Sequence, residues 1–170
     1  DLRLYEAYTE LWAQIMNICV CAFQKTKRKE FDLVIQNKIT VALQMEMIWG
    51  LIQTNKILQY YQIKYEDLFS KIPTSIKYQE MKTQVFSYYI LKSVFYVYLN
   101  DFLKWSCEFK RGTILSRIVF EENRINSFLS FIHDHAVHSR YLTMLHIVES
   151  NTDLYENKSL TMSLWGKYCL

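Results

Sequence analysis

The sequence predicts an all-α fold, and three observations support this class. The chain has 170 residues but contains only 3 Gly and 1 Pro, where average usage gives about twelve and about eight. Because all-β proteins need both residues at many turns, this scarcity favours long helices joined by few loops. Hydrophobic residues make up 51% of the chain and aromatic residues 16%, which is enough for a large core. Apolar residues also recur at helical spacing through most of the sequence.

A chain of this length is expected to form one domain over residues 1–170 and to bury roughly two thirds of the surface of the unfolded chain. We expect about six to eight helices. Long helices occupy the N-terminal two thirds, and short helices stack at the C-terminal end as in helical-repeat folds. Because the chain begins at Asp1 rather than Met, we interpret it as an excerpt of a larger protein, with a mature processed form as the alternative.

Two long helices are predicted in the first third of the chain. Residues 2–24 carry an apolar stripe at helical spacing, and Asp1 can cap the free amides of the first turn. Residues 31–61 carry a second pattern, in which one apolar face contains Val34, Val41, Met45, Ile48 and Ile52. Gly50 interrupts this pattern at a cost of about 1 kcal/mol relative to alanine. We therefore interpret Gly50 as either a close-packing point or a break between two helices.

The centre of the predicted fold is a hydrophobic helix over about residues 75–110, which the long helices surround. It follows a hinge at 62–74 and ends before Gly112. Its most apolar stretch, 83–109, is predicted as one continuous helix that is buried over most of its circumference. The flank expected to face solvent contains Lys92, Ser93, Tyr96, Asn100, Lys104 and Glu108. Because Lys92 lies in the middle of this stretch, no membrane span is expected.

Beyond Thr113 the pattern changes to short segments, each with one apolar face. The predicted helices cover 114–120, 125–136, 137–149 and a tail at 160–169. A polar turn rich in capping residues separates the last two. No fixed period recurs, so the pattern does not indicate a named repeat family.

The chain contains no motif that carries catalysis, so we expect a protein that is not an enzyme. Its three glycines are too few for a phosphate-binding loop, and no nucleophile motif is present. The most site-like cluster contains His135 and His138, three residues apart on one helical face. HEXXH is absent, so a polar helix end is the favoured interpretation over a zinc site. We expect no metal, no cofactor and no small-molecule substrate.

The cysteine pattern bears on the compartment. Cys19, Cys21, Cys107 and Cys169 include no CxxC pair, which removes the usual zinc-ribbon and thioredoxin-like interpretations. Reduced thiols in an intracellular protein, nuclear or cytoplasmic, are the preferred interpretation. The alternative is a secreted protein with two disulfides, which would be a signalling ligand of the four-helix-bundle type.

The function expected from these observations is a non-enzymatic protein–protein interaction or scaffold module of an intracellular assembly, with another protein chain as its partner. Surplus aromatic residues favour an interface, because Tyr and Trp are enriched there. The net charge of +3 is too small to favour nucleic acid, so nucleic-acid binding is the second alternative after the secreted ligand. The candidate residues for contact with a partner or a phosphate are Lys25, Lys27, Arg28, Lys29, Tyr60, Tyr61, Tyr65, Trp165 and Tyr168.

Overall fold

The computed structural model describes residues 4–24, 31–69, 85–108, 122–151 and 160–164. The described ranges contain helices and no strand, so the all-α prediction is confirmed. These ranges contain six α-helices, which agrees with the expected number of six to eight. In chain order the elements are α1 (Leu4–Gln24), α2 (Phe31–Tyr61), a 3-10 helix (Tyr65–Phe69), a π-helix (Phe86–Leu91), α3 (Lys92–Val97), α4 (Leu99–Glu108), α5 (Glu122–Ala136) and α6 (Ser139–Glu149).

The first helix forms where its apolar stripe predicts it. Ala7, Leu11, Ile15 and Ile18 recur at steps of three and four residues and are buried on one face of α1. This face packs on α2 and on the π-helix. The burial of an amphipathic face is the main source of stability for a helix of this kind, because an isolated helix is marginal in water.

The second helix runs without a break through Gly50. A Cβ atom built on Gly50 would lie 3.2 Å from Cβ of Ser93 and 3.4 Å from its Cα. Glycine is therefore present because the backbone of α3 lies against α2 at this point. Of the two interpretations of Gly50, the close-packing point is confirmed and the break between two helices is wrong.

The prediction of one continuous helix over 83–109 is wrong in the described part of that stretch. Residues Phe86–Leu91 form a π-helix. The helix α3 ends at Val97, and the following residue, Tyr98, has a φ of −112° and a ψ of 36°, which lie outside the α-helical region. Neither glycine nor proline marks this point. The ring of Tyr98 packs against His135 and His138 at the turn between α5 and α6, so tertiary contacts can offset the cost of its non-helical backbone.

The predicted solvent-facing flank of this stretch is also partly wrong. Asn100 and Lys104 are exposed as expected. Lys92, Ser93 and Tyr96 are instead buried, because the π-helix and α3 are packed by both α1 and α2. The side chain of Glu108 lies outside the described part of the structure.

An aromatic cluster joins the central helices to α5. The ring of Phe95 lies 5.3 Å from that of Phe102 and 5.4 Å from that of Phe128. Trp105 stacks on Phe128 with 5.0 Å between ring centroids, and Tyr8 of α1 meets Phe128 edge to face. Offset and edge-to-face arrangements of this kind add to the energy of burial.

The C-terminal predictions are met in part. The predicted helices at 125–136 and 137–149 correspond to α5 and α6. The predicted helix at 114–120 lies outside the described residues. The predicted tail helix is wrong for residues 160–164, which are irregular, and the rest of that tail is not described. Across the described ranges, no helix combines the length and apolarity needed to cross a membrane.

Candidate functional site

The structure describes three of the residues predicted to contact a partner or a phosphate. Tyr60 exposes 71% of its surface at the end of α2, and its ring meets that of Tyr61 edge to face at 5.1 Å. Tyr65 is buried, with its ring 4.9 Å from that of Tyr141. Burial is also the main cause that raises the pKa of Tyr65. The remaining candidates lie outside the described residues: Lys25, Lys27, Arg28, Lys29, Trp165 and Tyr168.

An open cavity of about 690 Å³ lies beside these tyrosines, between the end of α2, the 3-10 helix and α6. Leu58, Tyr65 and Leu145 contribute buried side chains to its lining. Its other lining residues include Lys64 and Glu149, which carry opposite charges. A rim of mixed sign gives no net attraction for a phosphate, so this cavity does not form the basic groove that nucleic-acid binding needs.

The histidines predicted to form a polar helix end contact aromatic rings. Nδ1 of His138 lies 3.0 Å from the hydroxyl of Tyr98 and also accepts from the backbone N–H of Arg140, which caps α6. The ring of His135 stacks on Phe131 at 4.1 Å. Within the described ranges, no group of three His, Cys, Asp or Glu residues is placed to hold a metal ion.

Three of the four cysteines are described, and all three are free thiols: Cys19, Cys21 and Cys107. Burial raises the pKa of the Cys19 thiol, which makes it a poorer nucleophile at neutral pH. Cys169 lies outside the described residues. The disulfides that the secreted alternative requires therefore find no support in this part of the chain.

The most elaborate polar arrangement is a set of four buried side chains, which we call the polar floor: Gln14, Glu46, Gln53 and Lys92. They come from α1, α2 and the start of α3. Glu46 and Lys92 each expose only 2% of their surface. Charged residues are almost never buried to this degree unless they are paired or hydrogen-bonded. The floor therefore needs polar partners above it.

Residues 160–164 supply those partners. The backbone carbonyl of Met162 accepts from Nζ of Lys92 at 2.7 Å and from Nε2 of Gln14 at 2.9 Å. The backbone N–H of Thr161 donates to Oε1 of Gln53 at 3.2 Å. The hydroxyl of Ser163 donates to Oε1 of Glu46. Each residue of the polar floor thus makes a hydrogen bond to this one segment.

Two further side chains border the polar floor. Nε1 of Trp49 donates to the carbonyl of Thr161 at 3.2 Å. The hydroxyl of Tyr96 donates to Oε1 of Gln14 at 2.9 Å, which orients the amide of Gln14 so that its Nε2 faces the segment. Burial is the main cause that raises the pKa of Tyr96, and the negative charges of Glu46 and Glu10 add to it.

The electrostatics of the floor are dominated by burial. Burial lowers the pKa of Lys92 from 10.5 to about 8, against the opposing effect of the carboxylates of Glu10 and Glu46. The ammonium is also 5.9 Å from the centre of the Tyr89 ring. A lysine with a lowered pKa can act as a nucleophile when a reactive carbonyl reaches it. Here its Nζ is bound to a backbone carbonyl, which is the role of a structural donor.

Sequence reasoning missed the polar floor. It placed Lys92 on an exposed flank and did not single out Glu46. One signal was present, because Ala42, Glu46 and Gly50 recur every four residues and so share one face of α2. The two small residues on that face indicate close packing, which would have placed Glu46 inside.

The second notable surface is the outer face of α2, which we define by Val41, Met45 and Ile48. These side chains expose 53%, 38% and 46% of their surface. The side chains described from residue 33 to residue 48 include two charged ones, Lys38 and Glu46, and Glu46 is buried. A helix half exposed to water normally carries charges on its outer side. This face of α2 is apolar and nearly uncharged instead.

Comparison with known proteins adds no relative. No protein-family model, no curated protein and no solved structure matches this chain. Two surfaces of the chain itself therefore indicate its function: the polar floor with its bound segment, and the outer face of α2.

Proposed function

We propose that this protein is a non-enzymatic protein–protein interaction module, and that it binds an amphipathic helix of a partner protein on the outer face of α2. The observation that carries the proposal is the exposed apolar stripe of Val41, Met45 and Ile48 on a surface with almost no charge. Interface cores are depleted of charged residues, and methionine is enriched in them. An intracellular scaffold or adaptor needs a surface of this kind.

The spacing of the stripe supports a helical partner. Val41, Met45 and Ile48 are separated by four and then three residues, which is the seam spacing of helices that pack side by side. A partner helix with apolar residues at the same spacing would bury these side chains without requiring a deep groove. Lys38 lies on the same half of α2 and is exposed, so the edge of the stripe carries one positive charge.

A cleft next to this face offers a site for an anchor side chain. It has a volume of about 310 Å³ and lies between α2 and the bend at Tyr98. Gln44 lines it and is also exposed on α2, so the cleft opens beside the stripe. Interfaces concentrate their binding energy in a few side chains that fill such pockets.

The proposal is tested with two matched triple variants. V41Q/M45Q/I48Q removes the stripe on α2. L129Q/V137Q/I147Q replaces three comparably exposed apolar residues, one on α5, one in the turn that follows it and one on α6. Both are used as bait in affinity purification from the native source, with mass spectrometry as the readout. We expect the wild type and the C-terminal variant to retain the same partner, and the α2 variant to lose it with an unchanged helical circular dichroism spectrum.

Two outcomes would contradict the proposal. If the α2 variant retains every partner that the wild type captures, the stripe is not the binding surface. If the wild type is a dimer in solution and the α2 variant a monomer, the stripe binds a second copy of this chain and not a different protein. A benzophenone amino acid at Ile48, with one at the exposed Ser130 as control, identifies the directly bound chain by photocrosslinking.

A further inference from the structure

The contacts of residues 160–164 resemble those of a bound peptide more than those of a core element. The segment is neither helix nor strand. Four of its hydrogen bonds to the polar floor join a backbone or hydroxyl group of the segment to a side chain of α1, α2 or α3. None of its residues belongs to the buried hydrophobic cluster. Its attachment therefore depends on polar recognition and not on core packing.

The polar floor also differs from a core surface. If residues 160–164 moved away, the uncovered groups would include the ammonium of Lys92 and the carboxylate of Glu46. Water hydrates such groups well, whereas it hydrates an apolar core poorly. Departure of the segment would thus uncover groups that water can hydrate, and we infer that the helices can stay folded without it.

The bound segment leaves hydrogen-bonding capacity unused. Within the described residues, Nε2 of Gln53 and the hydroxyl of Thr161 are buried and have no hydrogen-bond partner. These two residues already meet through Oε1 of Gln53 and the N–H of Thr161. Native proteins satisfy most buried donors. The unpaired amide of Gln53 therefore indicates that the floor has one more hydrogen-bond donor than this segment uses.

We propose that the polar floor is a peptide-binding groove, that residues 160–164 occupy it as a ligand in cis, and that an extended segment of a partner protein displaces them. The partner segment would present a backbone carbonyl to Lys92 and Gln14, and a hydroxyl to Glu46. A side-chain carbonyl at the position of Thr161 would also accept from Gln53. This surface is separate from the outer face of α2, so the failure of either proposal leaves the other standing.

The test measures binding of synthetic peptides to the chain of residues 1–170. The probe is Leu-Thr-Met-Ser-Leu, which copies residues 160–164, with both ends blocked. The control peptide, Leu-Pro-Met-Ala-Leu, lacks the N–H that binds Gln53 and the hydroxyl that binds Glu46. Binding is followed by changes in backbone amide NMR signals. The host is either the wild type or T161P/S163A, in which the same two contacts of the resident segment are removed.

We expect the probe to bind the T161P/S163A chain at least about tenfold more tightly than the wild type, because a tethered competitor acts at a high effective concentration. The shifted signals should come from α1, α2 and α3 around the floor. The control peptide should not bind. Leu-Asn-Met-Ser-Leu, which adds a side-chain carbonyl next to Gln53, should bind more tightly than the probe.

Hydrogen exchange of the wild type is an independent check. If the segment opens by itself, the amide of Thr161 exchanges at a rate that low concentrations of denaturant do not change. Three results would overturn the proposal. They are a Thr161 amide that exchanges only through global unfolding, a T161P/S163A chain that does not fold, and equal binding of the probe and the control peptide.

Discussion

At the scale of single residues, Lys92 shows how the fold holds a charge inside. Its side chain is buried between α1 and α2, with the carboxylates of Glu10 and Glu46 as the nearby opposite charges. Removing an ammonium from water is costly, and nearby carboxylates offset this cost only in part. The pKa of Lys92 is lowered to about 8 because the carboxylates do not offset the whole cost of burying the ammonium. Charge burial at this position therefore makes stability depend on pH.

We predict that the free energy of unfolding rises between about pH 8 and pH 9. Below pH 8 the amine of Lys92 is protonated in both states. Above pH 8 the folded state releases the proton, while the unfolded state keeps it up to the ordinary value of 10.5. Because the unfolded state then binds more protons, stability increases by at most about 1.4 kcal/mol per pH unit. Urea titrations at a series of pH values measure this slope.

The control for this prediction is the variant K92M, which keeps a long side chain but cannot titrate. Its stability should show no rise in the same range. The comparison stops near pH 9, because burial raises the pKa of Cys19 above its ordinary 9.0. That shift acts in the opposite direction, since the folded state then holds the extra proton. A wild type whose slope equals that of K92M would refute the assignment to Lys92.

Three buried hydroxyl groups show how the fold also holds neutral polar groups inside. Ser93 is fully buried, and its hydroxyl meets those of Thr54 at 3.0 Å and Tyr141 at 2.6 Å. Burial raises the pKa of Tyr141 to about 12. Polar groups in the interior are stable only when each finds a partner. Here three helices contribute one hydroxyl each, so the network joins α2, α3 and α6.

At the scale of elements, the decisive contact is the close approach of α2 and α3. Gly50 lies against Ser93, and α2 also packs on α1 and α6. A longer side chain at position 50 would push the backbone of α3 away from α2. Ser93 is held by the hydroxyl network, so it cannot move aside easily.

We predict that G50A destabilises the protein, although alanine favours a helix over glycine by about 1 kcal/mol. The added methyl group would lie 3.2 Å from Cβ of Ser93, which is closer than ordinary contact. The loss should be of the order of 1 kcal/mol, and G50V should lose more than about 2 kcal/mol because overpacking grows with volume. Urea unfolding of the three proteins gives these values.

A double-mutant cycle separates this contact from helix propensity. The variant S93G lacks Cβ of Ser93, which is the atom nearest to the methyl group that G50A adds. G50A should therefore lower the free energy of unfolding less in S93G than in the wild type, with a coupling energy of about 1 kcal/mol. Equal effects of G50A in both backgrounds would show that Ser93 is not the limiting neighbour.

At the scale of the whole molecule, aromatic packing links the N-terminal helix α1 to the helices α3, α4 and α5. Phe95 of α3 and Phe128 of α5 belong to one buried hydrophobic cluster, and Tyr8 of α1 and Trp105 of α4 pack against it. Residues far apart in sequence thus share one core. Shared cores make unfolding cooperative in chains of this size.

We predict a single unfolding transition for the chain. Trp105 stacks on Phe128, so its fluorescence reports on the contact between α4 and α5, while far-ultraviolet circular dichroism reports on all helices. The two midpoints in urea should coincide. A variant in which Trp105 is the only tryptophan makes the fluorescence specific. Separate midpoints would show that the C-terminal helices fold independently, against the expectation of one domain over residues 1–170.

The sequence by itself determined the helical class and the positions of α1, α2, α5 and α6. Their apolar residues recur at helical spacing, and that information is local. It also marked Gly50 as either a close-packing point or a break between two helices, and the structure decided for close packing. The exposed stripe on α2 was visible as an apolar face, although the sequence did not show that Val41, Met45 and Ile48 stay uncovered.

Only the tertiary structure decided which side of the central stretch is buried, where that stretch bends, and what residues 160–164 do. A helix that is apolar almost all round carries no local signal for its covered side, so Lys92, Ser93 and Tyr96 were misplaced. The hydrogen bonds between the polar floor and residues 160–164 join groups that are 70 to 148 positions apart in sequence. Such a site depends on how distant helices pack, and no local pattern encodes that arrangement.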